Sequence, residues 1–318
     1  MQSASVVVLG TGGTIAGTAA SADDAVGYSA AQIGVEQLVR SVPALAGLPI
    51  VFEQVAQLDS KDMDPAVWRR LAQRVGHHLA RPEVRGVVIT HGTDTLEETA
   101  YVLHRVLAPA KPVVLTAAMR PATARLSDGP QNLVDAFAVV RAPGARGVLA
   151  VLAGAVHAAM SVSKRHSYRL DAFGSGEAGP VGYVEEGLVR LVRPWPEDGP
   201  APVGLAALPE FDADWPWVEI VTSHAGSKGA IVDALVERGV RGIVVAGTGN
   251  GSIHWALEAA LQKARAAGVR VLRCTRCADG AVVGALVDAP PDELPSAGAL
   301  SPVKARIELL LELLAARA

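Results

Sequence analysis

The sequence predicts an α/β protein of two α/β domains, of which the N-terminal one is larger and has a mostly parallel sheet with helices on both faces. The first observation is that short apolar runs alternate with longer amphipathic stretches. Parallel strands that are buried on both faces have this near-continuous apolar character. The second observation is length, since 318 residues exceed the roughly 100–200 of one typical domain. The third is a proline-rich stretch at residues 193–217 that interrupts the alternation.

The first part of the chain holds five predicted strands, each a short apolar or β-branched run: Val6–Leu9, Ile50–Gln54, Gly86–Thr90, Lys111–Thr116 and Gly147–Leu152. Three amphipathic stretches between them predict helices: Pro65–Leu79, Leu96–Leu107 and Gly129–Arg141. Ligands of parallel α/β sheets bind beyond the carboxyl ends of the strands. We therefore expect the chemistry of this protein in the loops that follow these strands.

The stretch 193–217 is predicted to be a linker, because proline fixes φ and removes a backbone donor. This assigns residues 1–192 to the first domain and residues 218–318 to the second. Three predicted strands follow the linker: Val218–Thr222, Gly242–Ala246 and Val269–Cys274. Three predicted helices accompany them, the last with Ser301 as its N-cap: Lys228–Arg238, Ile253–Ala267 and Ser301–Ala316.

Composition and charge point to a globular protein that binds a small molecule. Half of the residues are apolar, and 29 Lys and Arg stand against 32 Asp and Glu. No basic stripe favours nucleic acid, and no apolar run reaches the roughly 18 residues of a membrane helix. Residues Met1–Ser5 carry no Lys or Arg, and the apolar run Val6–Leu9 is too short for a signal core. We expect a cytoplasmic protein without nucleic-acid or membrane partners.

Metal and cofactor binding are not expected. Cys274 and Cys277 have Cys-x-x-Cys spacing, but no second pair completes a zinc site, so we interpret them as ordinary thiols. None of the eight histidines belongs to a metal-ligand cluster. His91 is interpreted as a packing or hydrogen-bonding residue rather than a catalyst.

A glycine-rich loop at Gly10–Gly17 directly follows the first predicted strand. Glycines let backbone N–H groups approach a ligand closely, and Thr11 and Thr14 add hydroxyl groups. A dinucleotide-binding fingerprint needs glycine where Ile15 stands, which makes cofactor binding the weaker interpretation. Taken alone, the loop would be interpreted as a tight turn with incidental threonines.

Two further loops follow strands in the same way. Thr93 and Asp94 come after the strand that ends at Thr90, at the start of a helix, and residues 116–130 follow the next strand. A carboxylate at a helix N-terminus is stabilised as the anion, so Asp94 is either a partner for a substrate ammonium or part of the helix cap. Hydroxyl-bearing loops after three strands are expected to converge on one rim.

These motifs resemble the bacterial-type L-asparaginases, a family of threonine amidohydrolases that includes the glutaminase-asparaginases. The resemblance covers nearly the whole chain and is carried by Thr11–Gly17, His91–Ala100, Ala118–Pro121, Ser127–Asn132, Gly247–Gly251 and Ser301–Arg306. It implies conversion of L-asparagine to L-aspartate and ammonia without a cofactor, with L-glutamine as a further substrate. It also implies a homodimer or homotetramer whose active sites are completed between subunits.

The resemblance also implies residue roles. Thr14 corresponds to the nucleophile that forms an acyl-enzyme, and Tyr28 to the tyrosine that closes over the site. Thr93, Asp94 and Lys164 correspond to a second polar triad. A threonine hydroxyl needs a neighbour to take its proton, and both Lys164 and Tyr28 remain candidates for that role.

Substrate-binding roles follow from the same resemblance. Ser60 and Asp94 are expected to hold the α-carboxylate and α-ammonium groups. Backbone N–H groups near Thr93 are expected to stabilise the oxyanion, with Ala117 close by. The remaining residues expected to line the site are Gly13, Asp59, Lys61 and Ser252. Ser252 stands where many strict asparaginases have asparagine, which favours some glutaminase activity.

The chain departs from the family pattern at Asp59–Met63, where similar members usually read Gly-Ser-Gln-Asp-Met. Lys61 therefore brings a second cation toward the expected ammonium position. Like charges repel, so we expect Lys61 to point away, to be offset by another charge, or to weaken binding. Glu293 or Asp292 is a candidate for the acidic residue that some members lend to the neighbouring subunit.

Lys61 also motivates a second interpretation, a catalytically weak amino-acid-binding or regulatory relative that kept the fold. A dinucleotide-dependent enzyme is a more distant third possibility.

Overall fold

The computed structural model describes residues 4–24, 26–196, 201–284 and 293–317. The chain forms two compact units, Met1–Leu205 and Ala206–Ala318. The assignment of residues 193–217 as a linker stays a prediction, and its residues 197–200 lie outside the described part of the chain. Asp292 lies outside it as well.

The first unit contains twelve described strands, which in chain order are β1 (Ser5–Gly12), β2 (Thr18–Ala19), β3 (Tyr28–Ser29), β4 (Ile50–Leu58), β5 (Val84–Thr90), β6 (Val113–Thr116), β7 (Val148–Leu152), β8 (Ala155–Ala158), β9 (Ser163–Lys164), β10 (Phe173–Gly174), β11 (Gly182–Glu185) and β12 (Leu188–Leu191). Its described α-helices are α1 (Val35–Arg40), α2 (Pro65–Leu79), α3 (Leu96–Leu107) and α4 (Gly129–Arg141).

Eight of these strands form one sheet in the order β12-β11-β8-β7-β6-β5-β1-β4. The five strands from β7 to β4 are parallel, and β8, β11 and β12 extend the sheet in antiparallel fashion. The predicted mostly parallel α/β sheet is confirmed. Two-stranded antiparallel pairs, β2 with β3 and β9 with β10, lie outside this sheet.

Helices cover both faces of the sheet. Alternate residues of the central strands, such as Val6, Val8 and Val88, form a buried cluster with side chains of α1 and α4. The intervening residues, such as Val7 and Ile89, are also fully buried. Because successive strand residues point to opposite faces, these face the other side, where α2 contacts β4 and β5 and α3 contacts β7.

The strand order determines which loops meet. Strands β6, β5, β1 and β4 are consecutive neighbours and parallel. Their carboxyl ends therefore lie side by side at one edge of the sheet. The loops that follow them begin with Ala117, His91, Gly13 and Asp59. The loops that carry most of the predicted site residues therefore begin at this edge of the sheet.

The second unit contains a three-stranded parallel sheet in the order β13 (Val218–Thr222), β14 (Gly242–Gly247) and β15 (Arg270–Thr275). Helices α5 (Ala230–Glu237) and α6 (Trp255–Ala266) pack on one face, and α7 (Pro302–Ala315) packs on the other. Ser301 is the N-cap residue of α7 as predicted, although its hydroxyl makes no capping hydrogen bond. Both cysteines are free thiols, and no described helix is long and apolar enough to cross a membrane.

Candidate active site

The two threonines of the glycine-rich loop have different environments. Thr11 lies within β1, and its Oγ1 donates to the carbonyl oxygen of Thr90 at 3.0 Å, which ties β1 to its neighbour β5. Thr14 begins a short 3₁₀ turn just beyond the strand and is only 6% exposed. Its Oγ1 lies 2.6 Å from the hydroxyl oxygen of Tyr28. Of the two, Thr14 is the one with its hydroxyl group available at the sheet edge.

Tyr28 reaches Thr14 from the β2–β3 hairpin, which follows the glycine-rich loop directly. Residues Thr18 and Ala19 pair with Ser29 and Tyr28 in antiparallel register. The Ala19 N–H donates to Thr123 Oγ1 at 2.8 Å, so the hairpin is tied to the loop between β6 and α4. The resemblance implies that Tyr28 closes over the site of Thr14, and the two side chains are in direct contact in the structure.

A second polar cluster contains Thr93, Asp94 and Lys164. The Lys164 Nζ donates to Thr93 Oγ1 at 2.9 Å and to Asp94 Oδ1 at 2.6 Å. Lys164 is in β9, its side chain is 17% exposed, and its backbone N–H donates to Glu97 Oε1. Lys164 is thus directed into the cluster and is not a surface lysine. Asp94 remains 54% exposed and open to a further partner.

The two clusters meet at a backbone contact between Gly13 and Gly92. A Cβ atom on Gly13 would lie 2.3 Å from the Gly92 Cα, and one on Gly92 would lie 2.4 Å from Ser60 Oγ. Gly13 has φ of 79°, a conformation that favours glycine. No described hydrogen bond joins Thr14 to Lys164, so the loops rather than the side chains bring the clusters together.

Ser60 joins the turn after β4 to the second cluster. Its Oγ accepts the Asp94 N–H at 3.2 Å, and its carbonyl oxygen accepts the Thr95 hydroxyl at 2.8 Å. A hydroxyl that accepts a hydrogen bond still has its own hydrogen to donate. Ser60 is buried and remains a possible donor to a carboxylate.

Lys61 is offset by charges of its own turn. Its Nζ lies 2.8 Å from Asp59 Oδ2 and 3.2 Å from Asp62 Oδ2, and its side chain is 62% exposed. The hydrogen bonds to Asp59 and Asp62 raise the pKa of Lys61 above its usual range. Of the three outcomes expected for this cation, an offset by other charges is the one observed. The Asp59 carboxylate pairs with the Lys61 ammonium group and also accepts the backbone N–H of Lys61.

Ala117 follows β6 and is fully buried. Its carbonyl oxygen accepts Asn132 Nδ2 at 2.9 Å, and Asn132 Oδ1 accepts the Ala153 N–H at 2.9 Å. Asp128 accepts the N–H groups of Met119 and Arg120. Asp128 and Asn132 belong to the Ser127–Asn132 motif, but their role in holding this loop was not predicted from the sequence. Their spacing of four residues on α4 and its N-cap was the available signal.

His91 is fully buried behind the second cluster. Its Nδ1 lies 2.7 Å from the Gly92 carbonyl oxygen, and its Nε2 lies 2.9 Å from Thr99 Oγ1. Trp68 Nε1 donates to the same Thr99 hydroxyl at 2.9 Å. Burial lowers the pKa of His91 to about 4. The imidazole is therefore neutral at physiological pH and does not contact Thr14, in line with a hydrogen-bonding residue.

The first unit thus brings together most of the predicted site residues at one sheet edge: Gly13, Thr14, Tyr28, Asp59, Ser60, Lys61, Thr93, Asp94, Ala117 and Lys164. Ser252 belongs to the second unit and is exposed in the loop after β14. Glu293 also belongs to that unit, where it pairs with Arg273 at 2.6 Å. Among the described residues, no group of His, Cys, Asp and Glu is arranged to hold a metal ion.

Family models match both parts of the chain. The asparaginase N-terminal model covers residues 5–197. The glutaminase/asparaginase C-terminal domain model covers residues 217–317.

Individual proteins match over nearly the full length. L-asparaginase 2 of Bacillus subtilis (strain 168) is 38% identical over 96% of this chain and 81% of the relative. Glutaminase-asparaginase of Pseudomonas fluorescens biotype A is 38% identical over 98% of this chain and 86% of the relative. The crystal structure of the probable cytoplasmic L-asparaginase from Campylobacter jejuni superposes with a TM-score of 0.90 at 38% identity and covers 97% of this chain and 94% of that one.

Proposed function

Because the chain belongs to the asparaginase family, we propose that it hydrolyses L-asparagine to L-aspartate and ammonia, with Thr14 as the nucleophile. The observation that carries the assignment is the 2.6 Å contact between Thr14 Oγ1 and the Tyr28 hydroxyl at the carboxyl edge of the sheet. This contact activates a hydroxyl that is otherwise a weak nucleophile.

The reaction proceeds in two steps through an ester of Thr14. Thr14 Oγ1 attacks the side-chain amide carbon, and the carbonyl oxygen becomes an oxyanion. Collapse of this intermediate breaks the carbon–nitrogen bond and releases ammonia, whose added proton derives from the Thr14 hydroxyl. Water then attacks the ester carbon, aspartate leaves, and Thr14 regains its proton. Backbone N–H groups at Thr93 and near Ala117 stabilise the oxyanion in both steps.

Tyr28 is the residue that accepts the proton of the Thr14 hydroxyl. Its hydroxyl oxygen is within hydrogen-bond reach of Thr14 Oγ1, whereas the Lys164 Nζ bonds to Thr93 and Asp94. A neutral tyrosine accepts the Thr14 proton as it passes its own proton to the leaving nitrogen, so charge is conserved. Lys164 keeps Thr93 and Asp94 in place for the substrate.

The substrate's two charged groups match the charges of the site. The Ser60 hydroxyl donates to the α-carboxylate, and the exposed side of the Asp94 carboxylate accepts from the α-ammonium. Several relatives carry the name glutaminase-asparaginase, which supports L-glutamine as a second substrate. We place the enzyme in the cytoplasm, in agreement with the name of the Campylobacter jejuni protein. We further propose that it assembles as a homodimer or homotetramer.

An ammonia-release assay with L-asparagine and L-glutamine tests the nucleophile. Thr14→Ala should lower kcat by about 10³-fold or more, because the covalent step loses its only attacking atom. Thr11→Ala is the matched control three residues away. Its hydroxyl holds β1 to β5, so we expect a lower Tm and a kcat within about threefold of wild type.

Full activity in Thr14→Ala would refute the nucleophile assignment. A wild-type protein that binds asparagine but releases no ammonia would instead support the catalytically weak relative. The charge of Lys61 was the main reason for that alternative, and this charge is paired with Asp59 and Asp62.

A further inference from the structure

We infer that a buried chain of hydrogen bonds from Trp68 through Thr99 to His91 fixes the Gly92–Thr93 peptide so that the Thr93 N–H points into the active site. His91 is then a positioning residue for the oxyanion donor, and it contacts neither substrate nor Thr14. The inference rests on the proposed function, because an oxyanion forms only if Thr14 attacks an amide.

The donor or acceptor character of each partner determines which atom carries the hydrogen in each of these hydrogen bonds. The Gly92 carbonyl oxygen can only accept, so His91 Nδ1 carries the proton and donates to it at 2.7 Å. The neutral ring then has an acceptor at Nε2, which receives the Thr99 hydroxyl at 2.9 Å. Trp68 Nε1 can only donate, and it donates to Thr99 Oγ1. The alternative tautomer would face the Gly92 carbonyl oxygen with a lone pair.

The direction of the Thr93 N–H follows from peptide geometry. In a planar trans peptide the N–H of Thr93 points opposite to the carbonyl of Gly92. That carbonyl is directed at the fully buried His91 ring. The Thr93 N–H is therefore directed away from the His91 ring, and Gly13 lies against the Gly92 end of the same peptide.

The Thr93 N–H has no acceptor among the described residues, although Thr93 is only 6% exposed. Buried backbone donors are almost always paired. A donor that is left open beside the loop of the nucleophile is suited to a group that arrives with the substrate. The hydrogen bond from His91 opposes rotation of the Gly92–Thr93 peptide, so the Thr93 N–H does not turn toward another acceptor.

Two substitutions of His91 separate its two hydrogen bonds. His91→Asn retains an amide N–H near the Nδ1 position and keeps the donor to Gly92, while it loses the contact with Thr99. His91→Gln reaches Thr99 with its terminal amide and loses the donor to Gly92. We expect kcat for ammonia release to fall about tenfold to hundredfold in His91→Gln, with KM nearly unchanged, and much less in His91→Asn.

A histidine that only fills space would give a different result, in which both variants lose kcat equally and in proportion to Tm. That result would overturn the inference, and so would an unchanged kcat in His91→Gln.

Thr99 supplies a second test that does not depend on the folding of the His91 variants. Thr99→Val removes the hydroxyl that anchors His91 Nε2 and keeps the side-chain shape, whereas Thr99→Ser keeps the hydroxyl. We expect kcat to fall about threefold to tenfold in Thr99→Val with KM unchanged, and to return toward the wild-type value in Thr99→Ser. Equal kcat values in the two variants would contradict the inference. An active Thr14→Ala would show instead that the nucleophile assignment, on which this inference rests, is wrong.

Discussion

At the scale of single residues, the charges on the turn after β4 stand out because two of them differ together from the family pattern. Asp59 and Lys61, the two departures from the Gly-Ser-Gln-Asp-Met pattern that the resemblance leads us to expect, pair with each other at 2.8 Å. Asp62, which the pattern shares, is the second partner of Lys61. Ser60 between them reaches the Asp94 N–H. The Lys61 cation is therefore offset by two anions of its own turn.

This pairing predicts opposite effects for the two single substitutions. Asp59→Asn frees Lys61 next to the ammonium position, so KM for L-asparagine should rise about two- to fivefold, with kcat little changed. Lys61→Gln leaves Asp59 and Asp62 without their cation, so KM should fall by a similar factor. Steady-state kinetics at low salt measure both, and the double variant should return close to wild type. Shifts in the same direction for both single variants would contradict the pairing.

The site residues that lie in short sequence motifs could be predicted, whereas contacts between distant segments could not. Thr14, Thr93 and Asp94 lie in motifs directly after apolar strands, and the structure brings their loops together. The hydrogen bond from Trp68 to Thr99 spans 31 residues. It depends on how α2 packs against α3, which a linear pattern does not contain, so the role of His91 emerged only from the fold.

At the scale of elements, the β2–β3 hairpin controls how Tyr28 meets Thr14. Besides the Thr123 contact with Ala19, the Arg125 guanidinium pairs with Asp23 at 3.2 Å, and both of these side chains are exposed. Exposed ion pairs contribute little. The hydrogen bond from Ala19 to Thr123 is therefore expected to be the more important of these two side-chain ties, which add to the backbone hydrogen bonds from Ala122 to Gly17 and from Arg125 to Ala22.

Substitutions on the neighbouring loop test this order. Thr123→Val removes the acceptor of the Ala19 N–H, so Tyr28 should spend less time at Thr14. We expect kcat/KM to fall about threefold to tenfold, with Tm nearly unchanged because the hairpin lies outside the core sheet. Arg125→Ala is the matched control and should cost less than about twofold. Equal losses in the two variants would assign the effect to the loop as a whole.

The amphipathic helices were predicted to within two residues, whereas β1 and β4 extend three and four residues beyond their predicted ends at Leu9 and Gln54, and short elements were missed. The bounds of α2, α3 and α4 agree with the amphipathic stretches. Asp64 caps α2 by accepting the Val67 N–H, and Pro65 follows at its first position, which gives this helix a clear start. Helix α1 has only six residues. Strands β8, β11 and β12 have four each, too few for a period to identify.

At the scale of the whole molecule, the sheet is tied to its covering helices by packing and by a few ion pairs. Glu53 of β4 accepts from Arg74 Nη2 at 3.0 Å and contacts His78 Nε2 at 2.7 Å, both on α2. The hydrogen bond from Arg74, followed by that of His78, lowers the pKa of Glu53 against the opposing effect of burial. This cluster couples the edge strand β4 to the layer of helices.

The lowered pKa of Glu53 makes its contribution to stability depend on pH. A carboxylate whose pKa is lower in the folded chain stabilises the fold above its unfolded pKa of 4.5, and this stability is lost as pH falls through the folded value. Glu53→Gln should therefore lower the free energy of unfolding by about 1 kcal/mol at pH 7. Thermal melts at several pH values should show the difference vanish in acid. A difference that persists at low pH would contradict this assignment.

The contact between Gly13 and Gly92 also constrains how the enzyme can evolve. A side chain at Gly13 would push apart the loops of Thr14 and Thr93, and one at Gly92 would clash with Ser60, so we expect substitution at either glycine to disrupt this edge of the sheet. The Lys61 side chain is exposed and that of Asp59 partly so, and their ion pair is not part of this contact. Substitutions on this turn can thus change substrate binding without separating the loops of Thr14 and Thr93.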